Sequence, residues 1–162
     1  MFKYLFLLIL LCSPICRAYE LGLKYGVGFG LPNATDNTEA KLLSFEASNE
    51  LGSLFRHKLS LGAWFDPHPE FNRSSAAFGA YSAGLRVEAG YLYIENYFGF
   101  GWISQVDSML STSFEFTEEI GAGIKDEKGR FIGIEYRHFS NAGIQLPNKG
   151  RDFILINTGV GL

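Results

Sequence analysis

The chain has 162 residues, 47% hydrophobic and 15% aromatic, with 19 glycines, two cysteines and a formal net charge of −3. That length suits one domain and is short for two separate cores. An acidic balance supplies no basic face for nucleic acid, and 19% charged residues are too few for a disordered polar tail. Glycine and aromatics without long apolar runs exclude a polytopic helical membrane protein and point to strands and tight turns.

Residues 1–18 read as a secretory signal peptide. A short charged start ending at Lys3 leads into Leu, Ile and Phe as far as Cys12, and Cys16 and Ala18 are the small residues of a cleavage site. Its apolar core is too short to span a bilayer. Cleavage before Tyr19 is expected to leave 144 residues and to remove Lys3, Arg17, Cys12 and Cys16, taking the net charge to −5. The exported chain then has no thiol with which to form a disulfide.

From Tyr19 onward the sequence has period two. Over 19–31 the odd positions run Tyr19, Leu21, Leu23, Tyr25, Val27, Phe29 and Leu31, against Glu20, Lys24 and four glycines. Side chains on a strand alternate faces, so one face is apolar and the other glycine with charge. The same alternation predicts strands over 41–50, 59–66, 81–89, 92–102, 114–125, 130–140 and 152–162. That makes eight strands, each about long enough to cross a bilayer when tilted. The face opposite the apolar one carries Glu46, Arg86, Glu88, Glu135 and Arg137. A soluble sandwich would not bury these in its core, whereas the lumen of a small membrane barrel holds them readily. The expected fold is all-β, an eight-stranded antiparallel transmembrane β-barrel of the bacterial outer membrane. From a periplasmic N-terminus, the outer loops (32–40, 66–77, 104–111 and 141–151) are mostly longer than the inner turns (51–58, 89–91 and 126–129), the usual asymmetry.

Asn96 and Glu118 break the pattern by falling on the apolar face. Each is either a bulge that shifts the register or a lipid-facing polar group with a task, and the bulge is the favoured expectation. His57, placed in an inner turn, and His68, in a Pro-rich outer loop, lack a second ligand at metal spacing and read as solvated histidines. There is no Gly-x-Ser-x-Gly elbow and no phosphate loop.

His138 and Ser140 stand two apart, on the face of the seventh strand that carries Ile132, Ile134 and Tyr136. Asp152 opens the eighth strand on the parity of Ile154 and Ile156. The two strands form a hairpin, so all three residues gather at the extracellular rim on the lipid side. A carboxylate, an imidazole and a hydroxyl on one patch match the orienter, base and nucleophile of acyl transfer. An interfacial His beside ordinary loop-edge polar residues gives the same spacing.

The segment Arg137-His138-Phe139-Ser140-Asn141-Ala142-Gly143-Ile144, followed by Pro147-Asn148-Lys149-Gly150-Arg151-Asp152, resembles the signature of the outer-membrane lipid A 3-O-deacylase family. That family is an eight-stranded barrel whose His-x-Ser-Asn-Ala-Gly segment is followed, twelve residues after the Ser, by a Glu. Asp152 holds that position here, one methylene shorter, so backbone placement has to supply the missing reach. The resemblance implies Ser140 as nucleophile, His138 as general base and Asp152 as its orienting acid. It also implies Asn141 and the N–H groups around Ala142 and Gly143 as stabilisers of the oxyanion.

A serine esterase acting on lipid A needs its nucleophile toward lipid, which is where parity places Ser140. The expected substrate is lipid A or lipopolysaccharide of the outer leaflet, among membrane lipids, with release of a 3-hydroxy fatty acid. No metal, organic cofactor or nucleic acid is expected. A barrel phospholipase or acyltransferase, and a non-enzymatic structural or adhesive barrel working through its outer loops, are the alternatives.

Overall fold

The computed structural model describes residues 19–29, 39–69 and 72–162; the expected signal peptide and most of the first outer loop lie outside the described residues. Eight strands follow in chain order: β1 (Tyr19–Gly28), β2 (Lys41–Glu50), β3 (Phe55–Phe65), β4 (Ala76–Ala89), β5 (Leu92–Ile103), β6 (Phe114–Lys125), β7 (Arg130–Ser140) and β8 (Arg151–Gly161). Each pairs antiparallel with its sequence neighbours, and β8 returns to β1 from Glu20↔Gly161 to Gly28↔Phe153. Closure leaves no sheet edge with unpaired backbone groups, the condition for crossing hydrocarbon with strands.

The alternation read from the sequence is the alternation of the wall. Leu61, Ile94, Phe98, Ile120, Ile134 and Ile156 are exposed on the outside, while Glu46, Arg86, Glu95, Glu119, Glu135 and Arg137 are buried in the lumen. Two boundaries move. β3 begins at Phe55 because its register with β4 continues down to Phe55↔Leu85, which puts His57 inside a strand rather than in an inner turn. Its Nδ1 lies 3.4 Å from the Tyr81 hydroxyl. β4 begins at Ala76, five residues earlier than its alternation suggested, paired with Trp64.

The expected bulges are not formed. Leu85↔Asn96↔Ile120 and Phe98↔Glu118↔His138 sit in uninterrupted registers, so both polar residues face outward by strict alternation. Asn96 meets its need locally, with Nδ2 donating to the Glu119 carbonyl at 3.2 Å.

The lumen is layered. Toward the periplasmic end, Arg86 and Arg56 pair with Glu20, and Arg86 also with Glu95. At mid-height, Lys24, Lys58 and Arg137 interleave with Glu46, Glu119 and Glu135. The three carboxylates place oxygens within 4.8 Å of one another. Three cations already neutralise them, so the group is an ion-pair cluster. The outer end is apolar instead: Leu42, Trp64, Phe78, Met109, Leu110, Phe139, Phe153 and Leu155 form one cluster. Trp64 lies 5.4 Å from Phe139, and Phe139 meets Phe153 edge-to-face at 6.1 Å. Alternation explains why this plug matters. Phe139 points inward between His138 and Ser140, and Phe153 points inward beside Asp152, so the plug fixes the backbones that present those residues outside.

Candidate active site

The cross-strand register brings His138 opposite Asp152. Facing positions on neighbouring strands put Cβ atoms about 5 Å apart, and here Nδ1 of His138 lies 2.8 Å from Oδ1 of Asp152. The shorter acid therefore reaches the imidazole without the extra methylene. The same oxygen accepts the Tyr136 hydroxyl at 2.7 Å. Asp152 is buried although it lies on the outer face. Tyr136 covers it from two residues upstream of His138, and Phe29 packs on Tyr136 with ring centroids 5.9 Å apart. The Phe29 N–H also donates to the Asp152 carbonyl at 3.1 Å, tying the acid's backbone to the end of β1.

A carboxylate accepts, so the Nδ1 facing Asp152 carries the proton and Nε2 is left as the basic nitrogen. Ser140 follows on the same face. Among the described residues no hydrogen bond joins its hydroxyl to Nε2; such contacts often tighten only when substrate is bound. Ser140 opposes Phe116 on β6. Phe116 stacks on Phe98 at 5.8 Å and meets Phe114 edge-to-face at 5.3 Å. The hydroxyl thus borders an outward aromatic wall suited to acyl chains.

The segment after Ser140 is a tight loop. Ala142 has φ 53° and Gly143 φ 78°, and an alanine in the left-handed region carries strain of about 1 kcal/mol. Asn141 is the organiser. Its side-chain amide donates to the Gln145 carbonyl at 2.9 Å and to Ser111 Oγ at 3.1 Å, and its Oδ1 accepts the Gly143 N–H at 2.9 Å. Its own N–H donates to Asn148 Oδ1 at 3.1 Å. The donors of Asn141 and Gly143 are therefore engaged, within the loop and across to Ser111. Among the described residues the Ala142 N–H has no backbone acceptor.

Two neighbours of His138 were not assigned to the site from the sequence. Glu118 opposes it directly on β6, an exposed carboxylate on a mostly apolar wall. Tyr136 reads from the sequence only as one of the apolar set. Glu118 carried a readable signal, since a charge on the lipid parity asks for a reason. Tyr136 carried none, because its ring suits the wall and only its hydroxyl serves the acid.

Comparison with known proteins finds one family among sequences and several barrels among solved structures. The family model described as lipid A 3-O-deacylase (PagL) matches residues 21–161. The lipid A deacylase PagL of Bordetella bronchiseptica is 30% identical over 144 residues, covering 83% of this chain and 78% of that protein. The lipid A deacylase PagL of Pseudomonas aeruginosa is 43% identical over a 44-residue stretch, 27% of this chain and 25% of that protein. The crystal structure of the outer membrane enzyme PagL superposes with a TM-score of 0.73 at 16% identity, covering 87% of this chain and 98% of that one.

Proposed function

The chain belongs to the lipid A 3-O-deacylase (PagL) family of outer-membrane barrels, and on that premise we propose that Ser140, His138 and Asp152 form its catalytic triad. Residues 1–18 would direct export to the compartment where that chemistry takes place. The reading rests chiefly on the 2.8 Å pairing of His138 with Asp152 on the outer wall, next to Ser140 and at the end of the barrel where lipid A resides.

In the proposed reaction, Ser140 Oγ attacks the carbonyl carbon of the 3-O-linked ester while His138 Nε2 takes its proton. Asp152 holds the imidazole by Nδ1 and stabilises the imidazolium that forms. In this reading the Ala142 N–H serves the developing oxyanion, and Asn141 and Gly143 shape the loop around it. Breaking the C–O bond returns the proton from Nε2 to the departing 3-oxygen of the sugar. Water, admitted from the rim, then attacks the acyl-serine with His138 again as base; Nε2 passes that proton to Ser140 Oγ as the acyl–Oγ bond breaks, and a 3-hydroxy fatty acid leaves. The nucleophile, base, orienting acid and oxyanion donor in this proposal are all groups of the chain.

The test is mass spectrometry of lipid A incubated with the refolded barrel, wild type beside Ser140→Ala. Loss of one 3-hydroxyacyl mass with wild type alone supports the triad. Equal loss with both removes Ser140 as nucleophile. No loss with a folded wild-type barrel moves the substrate to phospholipid.

A further inference from the structure

The site stands on strand ends, and something must hold those ends in place. The structure assigns that task to Asp107, a residue of the third outer loop that does not touch His138, Ser140 or Asp152: we infer that it is a positioning residue for the His138–Asp152 pair, acting through Gly150 and Arg151. This inference rests on the triad proposed above.

The two oxygens of Asp107 do different work. Oδ1 accepts the N–H groups of Met109 and Leu110, at 2.7 and 3.0 Å, and so shapes the turn they occupy. That turn presents the Met109 carbonyl to the N–H groups of Lys149 and Gly150, at 3.0 and 3.3 Å. Met109 and Leu110 are themselves buried in the apolar plug, so the turn is anchored from below. Oδ2 accepts the Arg151 guanidinium and, at 2.8 Å, the Ser74 N–H. Arg151 is fully buried, spans to Asp66 Oδ2 at 2.9 Å and lies 5.5 Å from the Trp64 ring. One carboxylate thus fixes residues 150 and 151 together, and the next residue is the acid.

Gly150 is where this reaches the imidazole. It has φ +75°, and a Cβ added there would stand 2.5 Å from His138 Cε1 and 3.3 Å from Nε2. Its backbone is therefore one wall of the ring's place, on the edge that carries the basic nitrogen. A shift in this segment moves the wall beside Nε2 and the carboxylate beside Nδ1 at once. Small displacements of reacting groups are expensive in rate.

The sequence contains no local hint of this arrangement, because Asp107 and Arg151 are 44 residues apart. The guanidinium uses two fixed nitrogens, Nη1 to Asp66 and Nη2 to Asp107, a planar fork that a point-like ammonium does not reproduce. Asp107→Asn keeps an acceptor for the turn and removes the charge that pairs with Arg151 Nη2, leaving Asp66 on Nη1. Arg151→Lys keeps the charge and loses the fork.

The experiment uses the full barrel refolded in detergent micelles, with nitrogen-labelled histidine. The His138 Nδ1–H, hydrogen-bonded to a carboxylate, is followed as a downfield proton resonance, and kcat and KM are measured on lipid A. In both variants the resonance is expected to move or vanish and kcat to fall about tenfold, with KM within about twofold. Asp126→Asn, which removes a carboxylate from an exposed turn at the opposite end, leaves both unchanged. Placed on Asp152→Asn, Asp107→Asn is expected to lower kcat by less than about twofold more, since the acid it positions is already gone. An unmoved resonance with unchanged kcat in both variants overturns the inference. So does an equal tenfold loss on the Asp152→Asn background, which would make Asp107 a support of the barrel alone. If wild type fails to deacylate lipid A, the proposed substrate falls, while the resonance still decides the positioning role. Gel mobility with and without heating confirms that each barrel is folded, and Arg151→Lys decides should Asp107→Asn fail to refold.

Discussion

Replacing Lys24 by Met tests whether the mid-height cluster is a dry, charge-balanced unit. Lys24, Lys58 and Arg137 face Glu46, Glu119 and Glu135, three cations to three carboxylates, so the cluster is neutral as built. The six side chains are between 1% and 7% exposed. Lys24 Nζ contacts Glu46 at 2.6 Å and bonds to Glu135, with Glu119 at 3.7 Å. Lys24→Met removes one cation from all three acids and leaves a net buried negative charge. Breaking a buried pair from one side costs about 3–5 kcal/mol, much of it the penalty of the charge left behind. Adding Glu135→Gln restores neutrality and keeps an oxygen for Arg137, which now reaches Glu135 at 3.0 Å. The double variant is expected to return to within about 1 kcal/mol of wild type. Equilibrium urea unfolding in lipid vesicles, followed by tryptophan fluorescence, measures both variants. A single-variant loss below about 1 kcal/mol would refute the reasoning, because it would mean that water screens the cluster.

Other outcomes follow from the outer wall and the rim. Glu118→Leu removes a carboxylate from the lipid face, so unfolding should show the barrel stabilised by roughly 0–1 kcal/mol, with lower deacylation because Glu118 borders His138. A fall in both would make Glu118 a structural residue instead. Gly150→Ala places a Cβ 2.5 Å from His138 Cε1 in a left-handed backbone. It is expected to destabilise by about 1–2 kcal/mol and to lower kcat about tenfold or more, both read on the same refolded samples. Asp152→Asn keeps the shape of the acid but presents a donor as readily as an acceptor to Nδ1. A loss of roughly 10³–10⁴ in kcat is expected from the wrong tautomer, as in other triads, and a loss under about tenfold would remove Asp152 from the orienting role.

Period-two patterning is a local property, and that is why so much was legible in the chain itself. Each strand's apolar and polar faces are set by side chains two residues apart, so eight strands, their inward charges and the outward placement of His138, Ser140 and Asp152 could be read without any partner being known. The hairpin of β7 and β8 is nearly local too, which made the meeting of His138 with Asp152 expected from spacing. What alternation could not decide is what pairs with what. Lys24 finds Glu135 across 111 residues, and Arg151 finds Asp66 across 85. Such choices depend on closure of β8 on β1 and on the barrel's radius, which no window of sequence contains. The same holds for the bulges expected at Asn96 and Glu118. Locally, a polar residue on the lipid parity suggests a register shift, but the neighbouring strands hold the register through it. For Asn141 the family resemblance implied a part at the oxyanion, while its amide contacts with Gln145 and Ser111 could be read only from the folded loop. Ser111 reaches it only because the third and fourth outer loops dock on one another. Faces are written into neighbouring residues, while partners are chosen only once the chain has closed on itself.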